Sequence, residues 1–167
     1  MTRAGWIVRP KTEHDADRVA ERLAEIAREG RWIATEWPFD VPQRARAMRE
    51  ALHEGRSVGW VACDADDIVA DLTVFDLHLR EPSLGMLVAA THRRRGIGRA
   101  LLDAAFAWAR ENGRTGLTLR VFPDNGAARS LYAAFGFVDV TVQPASVPRR
   151  NGAALDAIVM RRPVAAN

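Results

Sequence analysis

LGMLVAATHRRRGIGRALL, residues 84–102, is the stretch on which the fold turns. Its first part, LGMLVA at 84–89, is a short apolar run and predicts a buried strand. A basic turn holding Gly96 and Gly98 follows. Residues 97–112 then predict a helix: Leu101, Leu102, Ala105, Phe106 and Ala109 make one apolar stripe, and Gly113 stops it. GLTLRVF at 116–122 predicts the next strand. Strand, helix and strand together predict a right-handed parallel crossover.

The turn has a chemistry of its own. Glycine lets the backbone approach a ligand closely and take φ values that other residues resist. A helix N-terminus offers unpaired N–H groups and the positive end of the helix dipole. Together they suit an anion such as a pyrophosphate, and Arg93, Arg94 and Arg95 add charge-assisted contacts. A phosphate loop of the GxxxxGK[ST] kind is absent. A dinucleotide turn would need a third glycine where Leu101 stands. A plain strand-to-helix turn with solvated arginines is the competing reading.

Working outward, residues 5–9 predict a strand and 15–29 a helix stopped by Gly30. WIATEWPFDVP is irregular and aromatic, and 43–54 predict a second helix ended by Gly55. Residues 57–63 and 67–76 alternate as a hairpin joined by Asp64-Ala65-Asp66-Asp67. Past 122, a short helix is expected over 125–135, a strand over 137–142, a long loop QPASVPRRNG over 143–152, and a final strand over 154–161. The chain is therefore α/β, and no linker or repeat divides its 167 residues, which suit one domain.

Composition bounds the function. The net charge is +3, and all but one of the 24 basic residues are arginine. Such an excess demands no nucleic-acid partner, yet it serves a polyanionic ligand where arginines cluster. The single cysteine, Cys63, allows no intrachain disulfide and reads as a small core residue. His14, His53 and His92 lack metal-ligand spacing, so no metal is expected. No signal peptide or long apolar run is visible, and the expectation is a soluble cytoplasmic protein with no membrane partner.

VAATHRRRGIGRALL followed by NGAARSLYAAFGF resembles the GCN5-related N-acetyltransferase (GNAT) superfamily. Arg93, Gly96 and Gly98 match the family's cofactor motif, and Asn125, Ala128, Leu131-Tyr132 and Gly136-Phe137 match a second pattern. The resemblance implies a mixed, mostly antiparallel sheet of six to seven strands with about four flanking helices. That sheet would be splayed between the strands at 84–89 and 116–122. It implies acetyl-CoA as co-substrate. The backbone of Met86, Leu87 and Val88 would meet the pantetheine arm, and the Val88 amide would point at the thioester oxygen. Amides of Arg94, Arg95, Gly96, Ile97, Gly98 and Arg99 would wrap the pyrophosphate. Asn125 would hydrogen-bond the cofactor arm, Ala128 would also touch the cofactor, and Tyr132 would sit near the sulfur as the candidate acid that protonates the departing thiolate.

Some relatives carry a glutamate base five positions before the asparagine, but Arg120 stands there. Glu36, Asp76 and His78 are the alternatives. Trp32, Trp37 and Phe39 form either an acceptor wall or a loop pinned to the core. Arg149-Arg150 could receive an anionic group of the acceptor or stand as a solvated turn. The expected reaction is acetyl transfer to a primary amine of a small molecule by direct attack in a ternary complex. A protein N-terminal or lysine acceptor of the ribosomal-protein type is the alternative, followed by a non-catalytic acyl-CoA sensor. Sheet edges in such folds often pair, so a homodimer is also considered.

Overall fold

The computed structural model describes residues 5–165. Seven strands form one sheet in the order β1-β2-β3-β4-β5-β7-β6. These are β1 (Trp6–Pro10), β2 (Val58–Asp64), β3 (Asp67–Phe75), β4 (Ser83–Val88), β5 (Gly116–Val121), β6 (Val138–Pro148) and β7 (Ala154–Pro163). All neighbours run antiparallel except β4 and β5, which are parallel because α3 (Ile97–Glu111) connects them. The other helices are α1 (Ala16–Ala27), α2 (Val41–His53) and α4 (Gly126–Ala134).

Alternation along the strands sorts the two faces. Trp60 and Ala62 of β2 join the large core, into which α3 sends Ile97, Leu101, Leu102, Ala105, Phe106 and Ala109. That stripe is the one read from sequence, and each fully buried leucine contributes about 1.5–3 kcal/mol. Val61 points the other way and packs with Val19, Cys63 and Ile68 beneath α1 and α2. Cys63 is thus a core residue, buried and free. Among the described residues no helix is long and apolar enough to cross a membrane.

One stretch departs from expectation. Residues 143–152 do not form a single long loop, because β6 runs on to Pro148 and pairing with β7 resumes at Val147↔Leu155. The register shifts between Gln143 and Val147, so Pro144, Ala145 and Ser146 bulge outward, with Ala145 at φ 49°. An edge strand tolerates a proline because one row of its backbone groups needs no partner.

Arg9 and Asp15 fix the entry to α1. Arg9 donates to both carboxylate oxygens of Asp15 at 2.7 and 2.8 Å, and the Thr12 amide donates to the same carboxylate at 2.7 Å. The Arg9 hydrogen bonds hold the Asp15 pKa down at about 2. A depressed carboxylate pKa stabilises the fold above the unfolded value and ceases to do so as pH falls through the folded one. The half-exposed Arg9 limits the contribution to ~1–2 kcal/mol. The gap in urea midpoint between wild type and Asp15→Asn should therefore narrow as pH drops from about 5 toward 2.

Candidate active site

The parallel contact between β4 and β5 is brief. Only Ser83↔Thr118 and Leu84↔Leu119 pair, while β4 continues to Val88 and β5 to Val121. Beyond Leu84 the two strands open into a fork, as anticipated between 84–89 and 116–122.

Hydrogen bonding on the far side of β4 decides which groups face that fork. Ala89 donates its N–H to the Val69 carbonyl at 2.8 Å, so Ala89 faces β3, and by alternation so does Leu87. Pro82 shows the opposite sense, since its carbonyl accepts from Thr118 of β5 at 3.0 Å. Met86 and Val88 therefore turn their peptide groups into the fork. Arg93 Nε takes the Val88 carbonyl at 3.1 Å, which leaves the Val88 N–H directed at the gap. Leu87 departs from the sequence reading: its peptide is spent on β3, opposite Asp71, and its side chain lies on the α1/α2 face.

The turn after β4 leads into α3 through Gly96, which is the N-cap at φ 81°, and no side chain caps this helix. The first intrahelical bond recorded at this end is Ala100 N–H to the Gly96 carbonyl at 3.1 Å. The amides of Ile97, Gly98 and Arg99 thus form an open, positively polarised end of a fifteen-residue helix beside the fork. Gly98 is required for packing. A Cβ there would stand 2.8 Å from Leu131 Cδ2 and 3.3 Å from Met86 Cε. Its absence lets α3 approach both β4 and α4.

The arginines divide their work. Arg93 forms a two-pronged pair with Glu29 at 2.7 and 2.9 Å, so its side chain braces the turn against the end of α1. His92 Nε2 lies 3.0 Å from Asp64 Oδ2, and Arg95 lies 3.6 Å from the same oxygen. Arg94 takes φ 63°.

On the opposite side of the fork, Asn125 caps α4, its Oδ1 accepting from Ala128 N–H at 3.2 Å. Tyr132 is buried against Phe137, with ring centroids 5.7 Å apart. Its hydroxyl has no protein hydrogen-bond partner among the described residues, and burial pushes its pKa up to about 12. The phenol stays protonated throughout the neutral range and can act there as a donor.

A strap crosses the open end of the fork. Its root is Glu29, held by Arg93 at the end of β4. Its middle is tied to the β6–β7 turn: Arg149 donates to the carbonyls of Ile33 and Ala34 at 3.4 and 3.1 Å. Glu36 accepts from the Arg150 N–H at 2.8 Å and pairs with Arg149 at 3.3 Å. An arginine lies against each of its aromatic rings, Arg31 on Trp32, Arg28 on Trp37 and Arg44 on Phe39. Glu36 is therefore a clasp. Cutting it by Glu36→Ala should raise the acceptor KM about tenfold while leaving that of acetyl-CoA unchanged, since a charge-assisted contact is worth about 1.5 kcal/mol or more. Steady-state kinetics in each substrate checks this.

Asp76 and His78 lie elsewhere. They occupy the turn between β3 and β4, where Phe75 pairs with Ser83, the first residue of β4. Val88 is at the other end of that strand, roughly 17 Å away at 3.3 Å per residue. The sequence reading placed them near where the acceptor enters, and the structure sets them at the Ser83 end of β4, beside Phe75.

Residues 16–137 match the family model for the acetyltransferase (GNAT) family. This chain belongs to that family. It is 34% identical over 101 residues to the [ribosomal protein bS18]-alanine N-acetyltransferase of Salmonella typhimurium, covering 60% of this chain and 68% of that protein. Solved GNAT structures share the whole architecture. The phosphinothricin acetyltransferase of Sinorhizobium meliloti, in complex with acetyl-CoA, superposes with a TM-score of 0.80 at 20% identity, over 96% of this chain and 89% of that one. The yncA structure from Salmonella typhimurium, with its cofactor acetyl-CoA, gives 0.82 at 17% identity, over 98% and 96%. The GNAT fold expected from the residue motifs, with its seven-stranded sheet and four helices, is thereby established. The acyltransferase class follows from family membership.

Proposed function

We propose that this GNAT chain transfers the acetyl group of acetyl-CoA to a primary amine of a small molecule, by direct attack in a ternary complex. The observation that carries the reading is the fork itself. Two peptide units, at Met86 and Val88, lack a strand partner, and they open beside an uncapped helix N-terminus. An extended ligand with an amide-bearing arm and a pyrophosphate at one end satisfies both features together.

The roles of the chain's own groups follow. Amides at the start of α3 receive the pyrophosphate, and the side chains of Arg94 and Arg99 stand nearby. Met86 bonds the pantetheine arm as a strand would. The Val88 N–H donates to the thioester oxygen as negative charge develops there, a contribution typically worth about 10²–10³ in rate. Tyr132 gives its proton to the departing sulfur, a role typically worth about 10²–10⁴. Of the three carboxylate or imidazole bases considered from sequence, Glu36 is clasped by the β6–β7 turn and the other two lie at the far end of β4. The amine proton accordingly leaves to water.

A small acceptor is favoured by the strap, which Glu36 and Arg149 tie across to the β6–β7 turn. A protein N-terminus is the second reading, favoured by the identity with the bS18-alanine enzyme. Thiol release from acetyl-CoA, followed with amino acids, polyamines, aminoglycosides, aryl amines and short free-N-terminal peptides, separates them. Turnover of one small-amine class supports the proposal. Turnover of the peptides alone supports the second reading, and release with none of them contradicts both.

A further inference from the structure

We propose that Arg120 is the residue that selects the acceptor, and that the acceptor amine carries an anionic group. This rests on the acetyl-transfer reading above and names its substrate class. Leu119 is the last residue of β5 paired with β4, so Arg120 is the first beyond the junction and stands at the apex of the fork. Its neighbours Leu119 and Val121 are buried in the core under α3. Arg120 therefore rises from the opposite face, the one that the strap spans.

The floor around it is open and cationic. Across the fork is Gly85, itself exposed, where an added Cβ would meet only Phe75 at 3.8 Å. No side chain at that position fills the space beside the guanidinium. Phe75 supplies an apolar wall and is 41% exposed. Arg120 spends one N–H on Ser146 of the β6 bulge, at 2.9 Å, and pairs with no carboxylate among the described residues. The other arginine of this floor, Arg161, is neutralised by Glu81, with contacts of 2.5 and 2.7 Å. Arg149 of the β6–β7 turn is likewise held by Glu36 of the strap. One uncompensated guanidinium thus remains at the apex of the fork, three residues or about 10 Å along β4 from Val88, with donors to spare for two oxygens. A cationic amine without an anion would be repelled there. An amine with a carboxylate, phosphate or phosphonate a few bonds from its nitrogen is held by that anion, with its nitrogen turned toward Val88.

The test measures kcat/KM for matched pairs: free amino acids against their primary amides, and 2-aminoethylphosphonate against 2-aminoethanol. The expected result is a preference for the anionic member of roughly 10- to 100-fold, as befits a charge-assisted contact. Which pair shows it tells a carboxylate acceptor from a phosphorus oxyanion. Arg120→Gln should erase the preference, and Arg120→Glu should invert it, with acetyl-CoA affinity by calorimetry unchanged in both. Equal use of acids and amides, or of free amino acids and N-terminal peptides, overturns the assignment while acetyl transfer stands. So does a preference that survives Arg120→Gln. Thiol release with no amine of any set overturns both readings.

Discussion

Replacing Tyr132 with phenylalanine should lower kcat by about 10²-fold or more, with little change in acetyl-CoA affinity or stability. The substitution removes one hydroxyl. It keeps the ring, whose edge contact with Phe137 at 5.7 Å and place in the core hold α4 against the sheet. The hydroxyl has no protein partner to lose among the described residues, so its removal orphans no buried group there. What disappears is a proton donor whose pKa, raised to about 12 by burial, keeps it protonated wherever the enzyme works. An acid of this kind matters most where the leaving thiolate would otherwise depart unprotonated. The deficit should therefore appear in kcat rather than in either KM. Turnover equal to wild type at every pH would remove Tyr132 from the chemistry.

The second large effect concerns stability. Lys11→Met should cost about 3–5 kcal/mol, because it leaves a carboxylate buried without its partner. Lys11 Nζ sits 2.6 Å from Asp71 Oδ1, and the two side chains are 3% and 8% exposed. Thr73 Oγ1 bonds both, completing a buried polar cluster on the α1/α2 face. Gly59 makes room for it, since a Cβ there would lie 2.8 Å from Lys11 Cε and 2.6 Å from the Leu72 carbonyl oxygen. Replacing both partners, as Lys11→Met with Asp71→Leu, should recover most of the loss because no charge is left uncompensated. Urea midpoints of the three proteins measure this. A single variant within about 1 kcal/mol of wild type would mean that water reaches Asp71.

The strand–turn–helix at 84–112 was legible because its signals are local: an apolar run, two glycines, then a period of 3.6. The short helix that Asn125 caps and Tyr132 lies on was legible for the same reason. The pairings that tie down the strap and complete the buried polar cluster are distant in sequence. Glu36 meets Arg150 across 114 positions, and Asp71 meets Lys11 across 60. No periodicity encodes such a pairing. A faint signal existed for the second, a lone lysine in a chain whose other basic residues are all arginine. The β6 bulge was hidden by Pro144, which reads as a breaker in a central strand but is harmless at an edge. Asp76 and His78 were read only as following a hairpin, and their place at the Ser83 end of β4 takes one further step. In an antiparallel pair the turn after one strand always lies at the start of the next.

The β4/β5 fork and the start of α3 are the proposed seat of acetyl-CoA. Titrating acetyl-CoA into the protein by calorimetry tests this, with the double variant Arg94→Glu and Arg99→Glu as the control that sets negative charge against a pyrophosphate at the start of α3. Saturable one-to-one binding by the wild type is expected, lost or greatly weakened in the variant while its thermal unfolding remains cooperative. Absence of binding by the wild type, or equal binding by both, would contradict it.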